Sequence, residues 1–149
     1  ADLGFAKKGR DYADLLNTGL AFIEKKRTGD IKNPRSMSII GDVENRDVIL
    51  VDDEINTGGS MVHAVEILKK HNARKIFMVF VHPVLSQNAS ERLAALPVER
   101  FITLNTVPIT PEKKAHFGDR LKVLSVGPLL GEVIKRANEG RSVGAMFNE

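Results

Sequence analysis

Apolar and polar positions change period several times along this 149-residue chain, and each change predicts an element. Ala6, Tyr12, Ala13, Leu15 and Leu16 recur at helical spacing and predict a helix running to about Asn17. The apolar run at 20–23 predicts a short buried strand that ends in the basic cluster Glu24-Lys-Lys-Arg27. Gly29, Asp30, Asn33 and Pro34 then predict an exposed, mobile loop over 28–35. Two strands are expected at 37–40 and 48–51, joined as a hairpin by the polar turn 42–47. Val48-Ile-Leu-Val51 is continuously apolar, as a central strand covered on both faces should be. Met61, Val62, Val65 and Leu68 predict a helix ending near His71. Strands at 75–81, 101–104 and 121–126 follow, with helices at 89–96 and 129–137. Strands alternating with helices predict an α/β fold, one domain over residues 1–149, with a mostly parallel sheet flanked by helices.

Composition narrows the picture by exclusion. A chain of 149 residues buries roughly 68–70% of its unfolded surface and needs no staples. With 42% hydrophobic and 28% charged residues, it is neither disordered nor fibrous. The absence of cysteine excludes disulfides, thiolate metal sites and cysteine nucleophiles, and fits a reducing, cytoplasmic setting. No apolar run approaches the ~20 residues of a membrane helix, so no membrane partner is expected. Twenty-two basic against 19 acidic residues leave +3, with one Tyr and no Trp; that favours small anions slightly and gives no case for nucleic acid. His63, His71, His82 and His116 have no metal-ligand spacing and are expected to be ordinary residues, although His82 falls at a strand end on the presumed ligand edge. Glu132 and Arg136 read as an i,i+4 helix pair, worth about 0.2–0.5 kcal/mol.

The chemistry concentrates in Ile49-Leu-Val-Asp-Asp-Glu-Ile-Asn-Thr-Gly-Gly-Ser60. An apolar strand delivers Asp52 and Asp53 to its C-terminal end, the edge where open α/β sheets bind ligands. Asn56, Thr57, Gly58, Gly59 and Ser60 then form a tight loop opening into a helix. Glycines there allow positive φ and close backbone approach, and the N–H groups of a helix start bind phosphate. An anion cradle beside two carboxylates predicts a phosphorylated polyol, its hydroxyls held by Asp52 and Asp53 directly or through a metal ion. The alternative is a plain strand-to-helix turn, with Asp52 and Thr57 capping the helix and the glycines only making the bend. No Gly-Lys-Ser/Thr follows, so the loop is not a Walker A motif.

Val51-Asp-Asp-Glu-Ile-Asn-Thr-Gly-Gly-Ser60 resembles the ribose-5-phosphate loop of the type I phosphoribosyltransferase fold. Further stretches resemble the ribose-phosphate pyrophosphokinases, or PRPP synthetases: Ala1-Asp-Leu-Gly-Phe-Ala-Lys7, Ala21-Phe-Ile-Glu-Lys-Lys-Arg27, Ile40-Gly-Asp-Val43, Leu104-Asn-Thr106, and Gly140-Arg-Ser-Val143 with Phe147. The resemblance covers essentially the whole chain but only the C-terminal half of such an enzyme. It implies a type I phosphoribosyltransferase-like fold with a flexible-loop insertion. It also implies transfer of pyrophosphate from Mg·ATP, the co-substrate, to the 1-hydroxyl of ribose 5-phosphate, giving PRPP and AMP for nucleotide biosynthesis. By the same resemblance Lys25 and Arg27 are catalytic, and Asp52, Asp53, Asn56, Thr57, Gly58, Gly59 and Ser60 bind ribose 5-phosphate. Asp2 becomes a ligand of Mg2+, and Asp52 and Asp53 ligands of a second Mg2+. Ser142 and Phe147 become part of a regulatory site between subunits that takes phosphate as activator, in homodimers grouped into a hexamer. Many members of the family have an acidic residue where Asn56 stands, a threonine at Ser60 and a hydroxyl residue at Gly144. The family's N-terminal half, which carries most of the ATP site, has no counterpart here, so these residues alone are expected to be inactive.

Two rivals share the loop: a phosphoribosyltransferase that consumes PRPP, and a non-catalytic regulatory homologue. Lys25-x-Arg27 and the ending at 140–147 favour the synthetase over the first. The intact acidic pair weighs against the second.

Overall fold

In the computed structural model, residues 6–26 and 36–147 are described. A parallel sheet carries β3 (Val48–Glu54), β4 (Ile76–His82), β5 (Arg100–Leu104) and β6 (Leu121–Leu124) in the order β3-β4-β5-β6. Apart from it, β1 (Phe22–Lys26) and β2 (Ser36–Ile40) form an antiparallel ribbon, with Phe22 opposite Ile40. The helices are α1 (Ala6–Leu15), α2 (Gly59–Lys70), α3 (Ala89–Ala94), α4 (Pro111–Phe117) and α5 (Gly127–Asn138). The α/β class and the mostly parallel sheet are as the sequence predicts.

Strand period 2 places the core on one face. Ile76, Met78 and Phe80 of β4 are buried, while Phe77 and Val79 between them are half-buried. Phe101 and Thr103 of β5 continue that buried face, and Val65, Leu68, Leu93 and Phe117 of the helices close over it. Burial of this kind is worth about 1.5–3 kcal/mol for each large apolar side chain. The other face is open. Ile49 is 47% exposed on β3, and a cavity of about 950 Å3 separates it from the ribbon, lined by Leu20, Phe22, Ile39, Ile49 and Val51 among others.

Three expectations need correction. The strand at 37–40 does not form a hairpin with the strand at 48–51; β2 pairs with β1, and β3 belongs to the parallel sheet. The polar segment between them cannot act as a two-strand turn, because it is anchored elsewhere. Val43 is buried, the Asn45 N–H donates to the Asn72 carbonyl at 3.0 Å, and the Arg74 N–H donates to that of Arg46 at 2.8 Å. Those bonds tie the turn to the α2–β4 connection. Nor is β3 central among the described strands: it stands at the end of their order, and its apolar Ile49 faces the cavity. Third, α4 is a helix where the periodicity predicts none. Its sequence, PEKKAHF, has a single buried residue, Phe117. Pro111 at the first turn and the Thr110 side chain, which accepts from the Lys113 N–H at 3.3 Å, start it. The expected mobile loop at 28–35 lies outside the described residues.

Arg120 fastens the far side of the core. Its guanidinium donates to the carbonyls of Ala94, at the end of α3, and of Leu96 and Val98 in the segment after it, and lies 5.4 Å from the centroid of the Phe101 ring. Phe101 in turn packs on Phe117 at 4.9 Å. Arg120→Ala should therefore destabilise the chain by about 2 kcal/mol, and Arg120→Lys should recover less than half, because an ammonium cannot fork across three carbonyls. Denaturant titration measures both; a loss under about 0.5 kcal/mol for the alanine variant would contradict the role. Thr103 carries the converse expectation. Its buried hydroxyl has no hydrogen-bond partner among the described residues, so Thr103→Val should stabilise by about 1 kcal/mol in the same titration.

Candidate functional site

Strand β3 runs three residues beyond its apolar stretch, so both aspartates lie in the strand itself. Parallel pairing with β4 carries them: Asp52 stands opposite Phe80 and Glu54 opposite His82. Consecutive strand residues leave on opposite faces, so Asp52 shares the core side with Leu50 while Asp53 emerges exposed on the other. The Asp53 N–H donates to Asp52 Oδ1 at 3.0 Å. Burial pushes the Asp52 carboxyl above the usual carboxylate range, and that backbone hydrogen bond offsets only part of the shift. A ligand spanning both carboxylates must lie across the end of the strand.

The chain then turns into α2 through a loop that no side chain caps. Gly58 is the N-cap residue, with φ 74° and ψ 0°, and makes no side-chain capping bond. The reading in which Asp52 and Thr57 serve as helix caps is therefore not what the structure holds. At Gly58 a Cβ would meet Leu93 Cγ at 3.3 Å, and the left-handed φ is itself costly for any other residue. At Gly59 a Cβ would make ordinary contacts, 3.9 Å from Thr57 Oγ1 and 4.0 Å from Arg92 Nη2. With no side-chain cap from Gly58, the start of this 12-residue helix presents an anion with the positive end of the helix dipole.

The segment after β4 supports this loop from one side. The Leu85 N–H donates to the Ile55 carbonyl at 2.9 Å and the Ser86 N–H to that of Asn56 at 3.0 Å. The Ser86 hydroxyl also donates to Asn56 Oδ1, which leaves the Asn56 amide N–H groups as donors. On the neighbouring strand end, Thr106 donates its hydroxyl proton to the Val81 carbonyl at 2.9 Å, so its oxygen accepts from His82 Nδ1 at 3.0 Å. That fixes the tautomer and leaves His82 Nε2 as an acceptor. Asn105 beside it accepts from the Val126 N–H at 2.8 Å, so the 104–106 stretch ties three strand ends together.

Asp52, Asp53, Asn56, Thr57, Gly58, Gly59 and Ser60 are thus brought together at one edge of the sheet. Lys25 sits in β1, opposite Met37, in the strand that runs into the basic cluster; its side chain lies outside the described part. Asp2 and Arg27 lie outside the described residues. Ser142 and Phe147 sit far along the chain, after α5. Arg136 Nη1 donates to the Ser142 carbonyl at 3.1 Å, and Phe147 is exposed. Glu132 is more than an isolated helix partner, because Arg136 at 2.8 Å and Arg141 at 3.7 Å both reach it and bind this tail to the helix. Ser86 and Arg92 were not legible as site residues, for no motif marks them, and Thr106 was noted only as part of the Leu104-Asn-Thr106 stretch. As hard oxygen donors Asp52 and Asp53 suit Mg2+, but no group of three or more metal-ligating side chains occurs among the described residues. Among those residues, too, no helix is long and apolar enough to cross a membrane.

Residues 26–148 match the family described as phosphoribosyl synthetase-associated domain. The ribose-phosphate pyrophosphokinase of Clostridium acetobutylicum is 41% identical over 148 residues, covering 99% of this chain and 45% of that protein. That of Caldanaerobacter subterraneus subsp. tengcongensis is 42% identical over 146 residues, again 45% of its length. Among solved structures, phosphoribosylpyrophosphate synthetase from Mycobacterium smegmatis superposes with a TM-score of 0.81 at 36% identity, over 92% of this chain and 43% of that one. The chain therefore spans less than half the length of these relatives.

The raised Asp52 pKa has a sign that can be tested. Protonated Asp52 favours the folded state, a contribution complete below the ordinary carboxylate pKa and lost as pH rises through the raised one. Above the raised pKa the chain therefore carries a half-buried charge that Asn would not. Asp52→Asn should raise Tm at pH 7 and leave it nearly unchanged at pH 3; a lower Tm at pH 7 would contradict this.

Proposed function

This chain belongs to the phosphoribosyl synthetase-associated domain family, and on that premise we propose that it is the ribose 5-phosphate-binding part of a ribose-phosphate pyrophosphokinase. One observation carries the reading: two strand-end carboxylates lead directly into an uncapped, glycine-built helix start. A sugar phosphate has the matching polarity, hydroxyls at one end and a dianion at the other.

In this reading Asp53 and ionised Asp52 accept hydrogen bonds from the ribose hydroxyls, while the N–H groups and hydroxyls of 56–60 hold the 5-phosphate. The anomeric hydroxyl attacks the β-phosphorus of ATP. A new oxygen–phosphorus bond forms, the bond from the β-phosphorus to the oxygen of AMP breaks, and the hydroxyl proton is lost. Such transfers rest mainly on positioning and charge stabilisation, so cations matter more than a strong base. Lys25 and Arg27 supply those cations, and Asp52 and Asp53, with Asp2, are the residues that would hold Mg2+. When bound, the metal neutralises phosphate charge. The ATP site belongs to sequence outside these 149 residues, in keeping with their 45% share of the relatives' length. Holding two reactants in line supplies roughly 7–11 kcal/mol of a barrier, so the chain alone should release no AMP. A cytoplasmic homo-oligomer completes the proposal. Exposed Leu129, Leu130 and Ile134 on α5 support association, and Ser142 and Phe147 are the residues proposed to serve a phosphate-responsive regulatory site.

Titration of the chain with millimolar ribose 5-phosphate should shift the amide resonances of residues 56–60; unchanged resonances would sink the assignment. In the complete enzyme Lys25→Ala should lower kcat far more than it raises the KM for ribose 5-phosphate, because its contact tightens in the transition state. Initial rates of AMP release from Mg·ATP measure the split, and an unchanged kcat would remove Lys25 from catalysis.

A further inference from the structure

Helix α3 reaches the phosphate loop from 35 residues further along the chain. Arg92 Nη1 donates to the Thr57 carbonyl at 3.3 Å, and Nη2 lies 4.0 Å from the point where a Cβ on Gly59 would sit. The next residue, Leu93, is the one against which Gly58 fits without a Cβ. Arg92 itself is exposed and has no carboxylate partner among the described residues, whereas its neighbour Glu91 faces His116 of α4 at 3.7 Å. We infer that Arg92 is a positioning residue for the anion cradle, one that orients the Thr57–Gly58 peptide and adds a cation beside the bound phosphate. The inference rests on the ribose 5-phosphate reading given above.

The argument is geometric first. The peptide is planar and trans, so its C=O and N–H point in opposite directions. With the Thr57 carbonyl held on Arg92, the Gly58 N–H faces away from that guanidinium. Rotation of that peptide would replace a donor by a carbonyl oxygen, which repels phosphate. Charge is the second part. Asp52, Asp53 and Glu54 put three carboxyl groups just before the loop, and a sugar phosphate brings a dianion to the same edge. Thr57 Oγ1 and Arg92 Nη2 converge on Gly59 from their separate elements, so the guanidinium offsets that repulsion where the phosphate would lie.

The test compares the wild-type chain with Arg92→Met and Arg92→Lys, using ribose 5-phosphate, inorganic phosphate and free ribose, each followed by amide shifts and each variant checked by Tm. Arg92→Met should weaken ribose 5-phosphate and inorganic phosphate alike by about tenfold, the size of one charge-assisted hydrogen bond, with free ribose and Tm unchanged. Arg92→Lys should fall between, since it restores charge but not the two-pronged geometry. Phosphate affinity unchanged in Arg92→Met would overturn the inference, as would an equal loss for free ribose, which would mean general damage. A wild-type chain that ignores ribose 5-phosphate but binds inorganic phosphate through Arg92 would overturn the substrate reading and leave the cradle standing.

Discussion

Everything at the candidate site depends on one backbone fact: Gly58 takes a left-handed conformation that other residues adopt only with strain. Its φ of 74° is left-handed, and Leu93 of α3 stands 3.3 Å from where that carbon would be. Because Gly58 can take this conformation, the chain leaves the end of β3 and enters α2 within four residues. Because Leu93 can approach so closely, α3 packs beside α2 over the core face and brings Arg92 to the loop. A side chain at 58 would strain the turn and crowd the Leu93 side chain. Pairing with β4 holds the carboxylates, and the turn at Gly58 sets the helix start and the guanidinium beside them.

Stability and function pull against each other around that point. Asp52 is an acid held partly out of water, with a single backbone hydrogen bond from Asp53 to offset the burial. Helix α2 starts without the side-chain cap that Ser, Thr, Asp or Asn commonly provides, a cap worth about 0.5–2 kcal/mol where present. Both are costs to the free chain, and both leave groups ready for a ligand. Apolar side chains on α5 and Ile49 on β3 stay exposed in the same way, at surfaces that the parallel sheet does not itself cover.

How much of this was legible in the sequence differs by element for physical reasons. Strand β4 and helix α2 were readable because each buries one continuous apolar pattern, period 2 in the first and near 3.6 in the second. Strand β3 was readable only to Val51. Its last residues are acidic, and what keeps them extended is pairing with Phe80 and His82, which no local pattern reports. The partner of β2 was misjudged because a short strand shows its own alternation but not its neighbour. Helix α4 buries one side chain and so has almost no periodicity; its Thr110-Pro111 start was the usable signal. The glycine loop and the aspartates could be named from sequence because their chemistry is contiguous. Arg92 and Ser86 could not, since folding alone brings them in from 35 and 30 residues away.

The central claim is that the loop after β3 is a phosphate cradle with a sugar-binding carboxylate pair beside it. A crystal structure of the chain soaked with ribose 5-phosphate tests it most directly. The account predicts the phosphate oxygens within hydrogen-bond distance of the amides of residues 58–60, with ribose hydroxyls on Asp52 and Asp53. A sugar phosphate seated anywhere else, or one turned so that its phosphate faces solvent, would contradict it.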